Sequence, residues 1–132
     1  MRLLYIFLLS ILSLTATAQD IAKPEPKVVK KQVKKEKAVL VDVRTPEEFA
    51  AGHVKKAQNS DLRGGAFQQE FSKWDKNKTY YLYCASGNRS GQALKLMQEA
   101  GFTNVVNLGA FKDLKSTGFP VKSKTEAKNG KE

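Results

Sequence analysis

The chain contains a single cysteine and a single histidine in its 132 residues. One cysteine cannot form an internal disulfide, and this pair cannot supply the nitrogen and sulfur ligands of a structural zinc site. The sequence also lacks the glycine-rich GxGxxG and P-loop patterns that cradle phosphates. We therefore expect neither a metal nor an organic cofactor, and Cys84 is either an inert buried thiol or a reactive one.

The chain also lacks an apolar run of the roughly 20 residues that a membrane span needs. Its longest apolar run, Leu3–Leu14, follows Met1-Arg2 and precedes the small residues Ala16-Thr17-Ala18. This layout is typical of a secretory signal peptide over residues 1–18, cleaved before Gln19, with an uncleaved anchor as the alternative. The sequence thus predicts a periplasmic or secreted protein.

The formal net charge is +10, and the tails carry most of it. Residues 19–37 contain seven lysines and three acidic residues, and residues 122–132 contain four lysines and two acidic residues. Residues 38–121, by contrast, contain eleven basic and eight acidic side chains. Because no basic stripe with interleaved aromatic residues occurs there, we expect no nucleic-acid partner.

The two tails have the composition of solvated segments. Residues 19–37 consist mainly of Lys, Val, Pro and Glu without an aromatic residue, which predicts a flexible linker. Its lysines could hold the protein in weak contact with an anionic membrane surface, or the segment could be a plain solvated spacer. Residues 122–132 are predicted to form a polar C-terminal tail.

Residues 38–121 alternate short apolar runs with helical patterns. Ala38–Val43 is a continuous apolar run typical of a buried strand, and Thr45–Glu48 has the pattern of a capping box that opens a helix. Strands are also predicted near residues 57–62, 79–83 and 104–108, and helices over 67–74, from the cysteine loop to Ala100, and over 109–115. This alternation predicts an α/β domain with a small parallel sheet of about four strands and helices on both faces.

Cys84 follows the apolar strand residues Tyr81-Leu82-Tyr83 and precedes the small residues Ala85-Ser86-Gly87 and a helix. Ligands of open α/β sheets bind beyond the carboxyl ends of the strands. Small loop residues let backbone amides turn toward the sulfur, and the positive end of the helix dipole also favours a thiolate. The pattern predicts a nucleophile that carries a negatively charged group, with a buried inert thiol as the alternative.

Three ordered motifs together resemble the rhodanese-like domain family. They are Val39–Phe49, Gly52-His53-Val54 and Tyr83–Ser90, and the similarity continues through Gly101–Val105 to the ending Gly118–Val121. A compact domain behind a signal peptide is most similar to the single-domain periplasmic type represented by phage-shock protein E.

The resemblance implies a thiosulfate sulfurtransferase. Cys84 would take the outer sulfur of thiosulfate as a persulfide, release sulfite, and pass the sulfur to cyanide or a thiol. The backbone amides of five loop residues would cradle the persulfide: Ala85, Ser86, Gly87, Asn88 and Arg89. Arg89 would either hold the anionic donor or pair with a carboxylate. Ser90 would help to cap the helix, and Asp42 and Arg44 would mainly fix the loop and turn around the site.

Two features bear on alternative functions. Many active members of the family have an arginine where this chain has Ala85, which removes a positive charge near the donor and favours a carrier or binding module as the second interpretation. A cysteine-dependent phosphatase or arsenate reductase would use the longer Cys-x5-Arg loop, whereas Cys84 and Arg89 form Cys-x4-Arg. His53 follows the end of a helix, which predicts a structural role and not that of a base.

Overall fold

A computed structural model describes residues 23–124 of the protein. The predicted signal peptide, residues 1–18, and residues 125–132 of the predicted tail lie outside this range. The described elements follow the chain in this order: α1 (Pro26–Lys34), β1 (Ala38–Asp42), α2 (Pro46–Ala51), β2 (Gly52–Val54), β3 (Gln58–Asn59), α3 (Ala66–Glu70) with a 3-10 turn (Phe71–Lys73), β4 (Thr79–Cys84), α4 (Asn88–Glu99), β5 (Val105–Ala110), α5 (Phe111–Ser116) and β6 (Val121–Ser123). None of these helices is long and apolar enough to cross a membrane.

Four parallel strands form the central sheet in the order β3-β1-β4-β5. Asp42 of β1 is in register with Tyr83 of β4, and Cys84 is in register with Ala110 of β5. The carboxyl ends of these three strands therefore meet at one edge of the sheet. The prediction of an α/β domain built on about four parallel strands is confirmed.

Helices cover both faces of the sheet because successive strand residues point to opposite sides. On one face, α3 and α4 pack on β1 and β4 in a core that includes Val41, Leu82, Phe67, Ala93 and Met97. On the other face, α1 and α5 pack in a second core that includes Leu40, Tyr81, Val29, Leu114 and Phe119. Cys84 belongs to the first of these cores, so its side chain lies on the side of α4.

The prediction of a flexible linker over residues 19–37 is wrong for residues 26–34, which form α1. Val29 is buried with 1% exposure, and Val33, one turn later, packs against the same core. The Tyr81 hydroxyl also donates a hydrogen bond to Gln32 Oε1. The segment is apolar on one side only, and that side packs against residues of β1 and β4. This packing, and not the composition of the segment, stabilises the helix.

The boundaries predicted for the C-terminal part also need correction. Lys122 and Ser123 belong to the predicted polar tail, but they lie in β6, which pairs antiparallel with β2 in a second, two-stranded sheet. Gly109 and Ala110 fall in the helix predicted over residues 109–115, but they are the last residues of β5. Strands of three residues are too short to show a hydrophobic period, and Gly109 has a φ of 95° that a helix would not use.

Candidate active site

Cys84 is the last residue of β4 and has no exposed surface. The backbone N–H of Gly87 donates to its Sγ over 3.0 Å, and the Ser90 hydroxyl lies 3.4 Å from the same atom. Gly87 has a φ of 91°, and a Cβ there would lie 3.3 Å from the Cα of Gly109. Glycine is therefore required for the loop to turn its amide toward the sulfur.

Burial raises the pKa of the Cys84 thiol, but several hydrogen bonds lower it further than burial raises it. They come from the Ser90 hydroxyl and from the backbone amides of Ser90, Ser86 and Gly87. The net result is a pKa below the ordinary value of a cysteine. Each donor stabilises negative charge on the sulfur, so the site favours the nucleophilic thiolate.

The prediction that Ser90 caps α4 is wrong, because its side chain forms no capping hydrogen bond with the helix. Its hydroxyl instead contacts Cys84 and lies 2.7 Å from Asn107 Oδ1. Asn107 donates from Nδ2 to the carbonyl of Gly87 over 3.1 Å and accepts from the amide of Gly109 over 2.9 Å. Asn107 thus ties β5 to the cysteine loop, a contact that no local pattern in the sequence indicated.

Arg89 forms a bidentate ion pair with Glu48 over 2.7 and 2.9 Å. Of the two roles predicted for Arg89, the structure thus shows pairing with a carboxylate. The hydrogen bonds from Arg89 are the main reason that the pKa of Glu48 falls to about 2. Glu48 also completes the predicted capping box with Thr45, so one carboxylate joins the start of α2 to the start of α4.

Asp42 and Arg44 form a buried ion pair at the carboxyl end of β1, with 2.6 Å between Nη2 and Oδ2. Arg44 Nη2 also donates to the carbonyl of Gly52 over 2.7 Å, and the guanidinium lies 4.3 Å from the centroid of the Phe111 ring. The pair therefore connects β1, β2 and α5. Their predicted role in fixing the loop and turn around the site stays a prediction.

The His53 ring contacts Phe49. Its Nδ1 lies 2.8 Å from the carbonyl of Phe49, and its ring stacks on the Phe49 ring with centroids 3.7 Å apart. Because a carbonyl only accepts, the proton on this side of the ring belongs to His53. The contacts support the structural role that was predicted.

A cavity of about 400 Å³ lies beside the cysteine loop. Ala85, Ser86, Asn88 and Arg89 line it from the loop and from the first turn of α4, and the other walls include Arg63 and Gln68. No motif in the sequence indicated that these last two residues lie near the site, because they belong to a turn and a helix that precede β4. Residues 23–124 include no cluster of three His, Cys, Asp or Glu side chains that could hold a metal ion.

The sequence profile of the rhodanese-like domain matches residues 25–117. The thiosulfate sulfurtransferase PspE of Escherichia coli is 39% identical over 74 residues, which are 56% of this chain and 71% of the relative. The uncharacterized protein YqhL of Bacillus subtilis is 40% identical over 58% of this chain and 60% of its own length. A tRNA sulfurtransferase of Vibrio vulnificus is 32% identical, and the match spans only 19% of that relative.

Solved structures show the same fold. An E. coli rhodanese solved with anions has a TM-score of 0.58 and 34% identity over 65% of this chain and 98% of its own. An uncharacterized protein from Saccharomyces cerevisiae has a TM-score of 0.60 and 31% identity over 72% of this chain and 91% of its own. From the matched profile, the fold and the loop around Cys84, this chain belongs to the rhodanese-like domain family.

Proposed function

We propose that this protein is a sulfurtransferase that moves sulfane sulfur from thiosulfate, through a persulfide on Cys84, to a thiol or to cyanide. The observation that carries the proposal is the set of donors aimed at one buried sulfur, namely the Gly87 amide and the Ser90 hydroxyl. Relatives named as sulfurtransferases, among them PspE, support transfer of sulfur as the general reaction.

In the first half-reaction the Cys84 thiolate attacks the outer sulfur of thiosulfate. A lone pair of Sγ forms the new S–S bond, and the old S–S bond breaks with its electron pair leaving on sulfite. The products are the Cys84 persulfide anion and sulfite, so total charge is conserved and no proton moves. A general base is therefore unnecessary once the hydrogen bonds to Sγ hold it as a thiolate.

The persulfide places its negative charge on the outer sulfur. The amide of Gly87 already donates to Sγ, and α4 begins with Asn88 and Arg89 directly after it. We assign stabilisation of the outer sulfur to the loop amides of Ala85, Asn88 and Arg89, assisted by the positive end of the α4 dipole.

In the second half-reaction the acceptor, cyanide or a thiolate, attacks the outer sulfur. The bond to Cys84 breaks, and its electron pair returns to Sγ, which again becomes a thiolate. A thiolate of low pKa leaves quickly in such exchanges. The same hydrogen bonds that prepare Cys84 for attack therefore also assist its release.

The phosphatase alternative finds no support in the geometry. Only four residues separate Cys84 from Arg89, and the Arg89 guanidinium is already held by both oxygens of Glu48. A phosphate would need that guanidinium for its own oxygens.

We also propose that the protein works outside the cytoplasm after cleavage before Gln19. The support is the order of charged, apolar and small residues over 1–18. Mass spectrometry of the protein from a fractionated cell would show a mature chain that begins at Gln19, and an unprocessed cytoplasmic chain would contradict this location. A separate proposal is weak contact of the lysine-rich segment with anionic membranes. It would appear as binding to vesicles that contain phosphatidylglycerol, and added salt would weaken that binding.

The enzymatic assignment is tested by turnover. Thiocyanate and sulfite should form in equal amounts from thiosulfate and cyanide with the wild-type protein. Cys84→Ser should abolish both products, because a serine oxygen cannot carry the sulfur. Turnover retained in Cys84→Ser would contradict the mechanism. A wild-type protein without turnover that still accepts sulfur would support the alternative of a carrier module.

A further inference from the structure

The cavity beside the cysteine loop contains one arginine whose charge is not matched by a carboxylate. The ion pairs found within residues 23–124 join Arg44 to Asp42 and Arg89 to Glu48. Arg63, which lines the same cavity, has no such partner among the described residues. Its guanidinium is therefore available to an anion that enters the cavity.

The backbone that carries Arg63 is held in place on both sides. The amide of Leu62 donates to the carbonyl of Val43 over 3.2 Å, and Gln68 Nε2 donates to the carbonyl of Leu62 over 3.0 Å. The amide of Phe67 donates to the carbonyl of Asp61 over 3.0 Å, which closes the turn. Leu62 itself is buried with 6% exposure. An anion that binds Arg63 thus orders only its side chain, which lowers the entropic cost of binding.

The cysteine loop supplies amides to an incoming anion but no unmatched side-chain charge. Ala85 is apolar, and the guanidinium of Arg89 is neutralised by Glu48. Thiosulfate is a dianion whose sulfonate oxygens suit the planar, two-pronged guanidinium group. The cation that such a donor needs has to come from another segment of the chain. Among residues 23–124, Arg63 is the only arginine that lines the cavity and forms no ion pair.

We propose that Arg63 binds the sulfonate group of the sulfur donor and makes the site selective for anionic donors. This inference rests on the proposed function and deepens it, because it assigns donor recognition to the turn before α3. With its sulfonate at Arg63, the donor presents its outer sulfur to Cys84. Sulfite then forms at the same guanidinium and leaves before the acceptor enters. Arg63 therefore acts in the donor half-reaction only.

The experiment compares Arg63→Gln and Arg63→Lys in the whole protein. Arg63→Gln should raise the KM for thiosulfate about tenfold, as expected for one lost charged hydrogen bond, and change kcat less than twofold. Arg63→Lys should recover part of the loss, and the KM for cyanide should not change in either variant. Lys73→Gln, an exposed cation that precedes β4, is the control and should leave both KM values unchanged. An unchanged KM for thiosulfate in Arg63→Gln would overturn the inference.

A second measurement separates failure of this inference from failure of the proposed function. Cys84→Ser cannot react, but its cavity should still bind sulfite, as followed by isothermal titration calorimetry. Adding Arg63→Gln should weaken that binding about tenfold. Equal affinity in both proteins, or no binding to Cys84→Ser, would overturn the role of Arg63 even if wild-type turnover were found. If Arg63-dependent binding of sulfite is found but the wild-type protein shows no turnover, the proposed sulfurtransferase function is contradicted and the role of Arg63 in anion binding is not.

Discussion

The hydroxyl of Ser90 lies 3.4 Å from the sulfur of Cys84. It also lies 2.7 Å from Asn107 Oδ1. A hydroxyl has one proton, so it donates to only one of these acceptors at a time. A thiolate sulfur is a stronger acceptor for this proton than the neutral amide oxygen of Asn107. In the persulfide, however, the negative charge has moved from Sγ to the outer sulfur. Ser90 can therefore stabilise the thiolate before attack and turn to Asn107 afterwards.

Replacing Ser90 with alanine should raise the pKa of Cys84, because the thiolate loses the hydrogen bond from the Ser90 hydroxyl. Because Cys84 is the only thiol, the ultraviolet absorbance of the thiolate reports its titration directly. Ser116→Ala removes an exposed hydroxyl bound to the Asp113 carbonyl and serves as the control. A pKa unchanged in Ser90→Ala would show that the hydroxyl belongs to Asn107 alone.

Gly87→Ala should lose most sulfur-transfer activity and about 1–2 kcal/mol of stability, because it strains a positive φ and brings a Cβ to 3.3 Å from Gly109 Cα. Gly118→Ala has the same backbone strain at φ 96° but meets no atom within 4 Å. Urea unfolding and turnover are measured for both variants. Effects shared with Gly118→Ala come from backbone strain, and effects seen only in Gly87→Ala come from the contact of the new Cβ with Gly109. Equal activity in both would mean that the Gly87 amide can serve Cys84 despite a side chain.

Glu48→Gln should make stability less dependent on acid pH. The pKa of Glu48 is lowered from 4.5 to about 2, chiefly by hydrogen bonds from Arg89, so the folded state favours the ionised form. This contribution is complete above pH 4.5 and is lost as the pH falls toward 2. The difference in free energy of unfolding between wild type and Glu48→Gln should therefore shrink from pH 6 to pH 3.

The control for this experiment is Glu47→Gln, which removes the neighbouring exposed carboxylate of α2. Its difference from wild type should stay smaller than that of Glu48→Gln at pH 6. A difference for Glu48→Gln that does not vary with pH would mean that the ion pair with Arg89 contributes nothing to stability in solution.

Asp42→Asn should destabilise the fold by about 3 kcal/mol while leaving the pKa of Cys84 close to its wild-type value. The change leaves Arg44 buried with 6% side-chain exposure and without its counter-charge. Urea denaturation measures the first effect and thiolate absorbance the second. Asp113→Asn, on the surface helix α5, is the matched control. A shifted thiol pKa at full stability would place Asp42 in the chemistry of the site.

The central sheet could be predicted because each of its longer strands is a local apolar run bounded by turn residues. Helix α1 could not be predicted in the same way, since its lysine-rich composition concealed two valines one turn apart, Val29 and Val33. Burial of those valines depends on Leu40 and Tyr81, which lie on other elements. Composition describes a segment alone, whereas burial depends on what the segment packs against.

In the candidate site, too, the local features could be predicted from the sequence and the long-range contacts could not. The small residues around Gly87 are adjacent in sequence to Cys84, so their place at the sulfur could be inferred from the loop itself. The contact of Arg89 with Glu48 joins residues 41 positions apart, and that of Ser90 with Asn107 joins residues 17 positions apart. The capping box showed only the local role of Glu48. Arg63 likewise reaches the cavity through the fold and not through any motif.

The most direct test of the central claim is the intact mass of the protein after incubation with thiosulfate. The wild-type protein should gain the mass of one sulfur atom, and cyanide should remove that sulfur with formation of one equivalent of thiocyanate. Cys84→Ser should show no gain. A wild-type mass that stays unchanged, or a gain that persists in Cys84→Ser, would contradict transfer of sulfur from thiosulfate through Cys84.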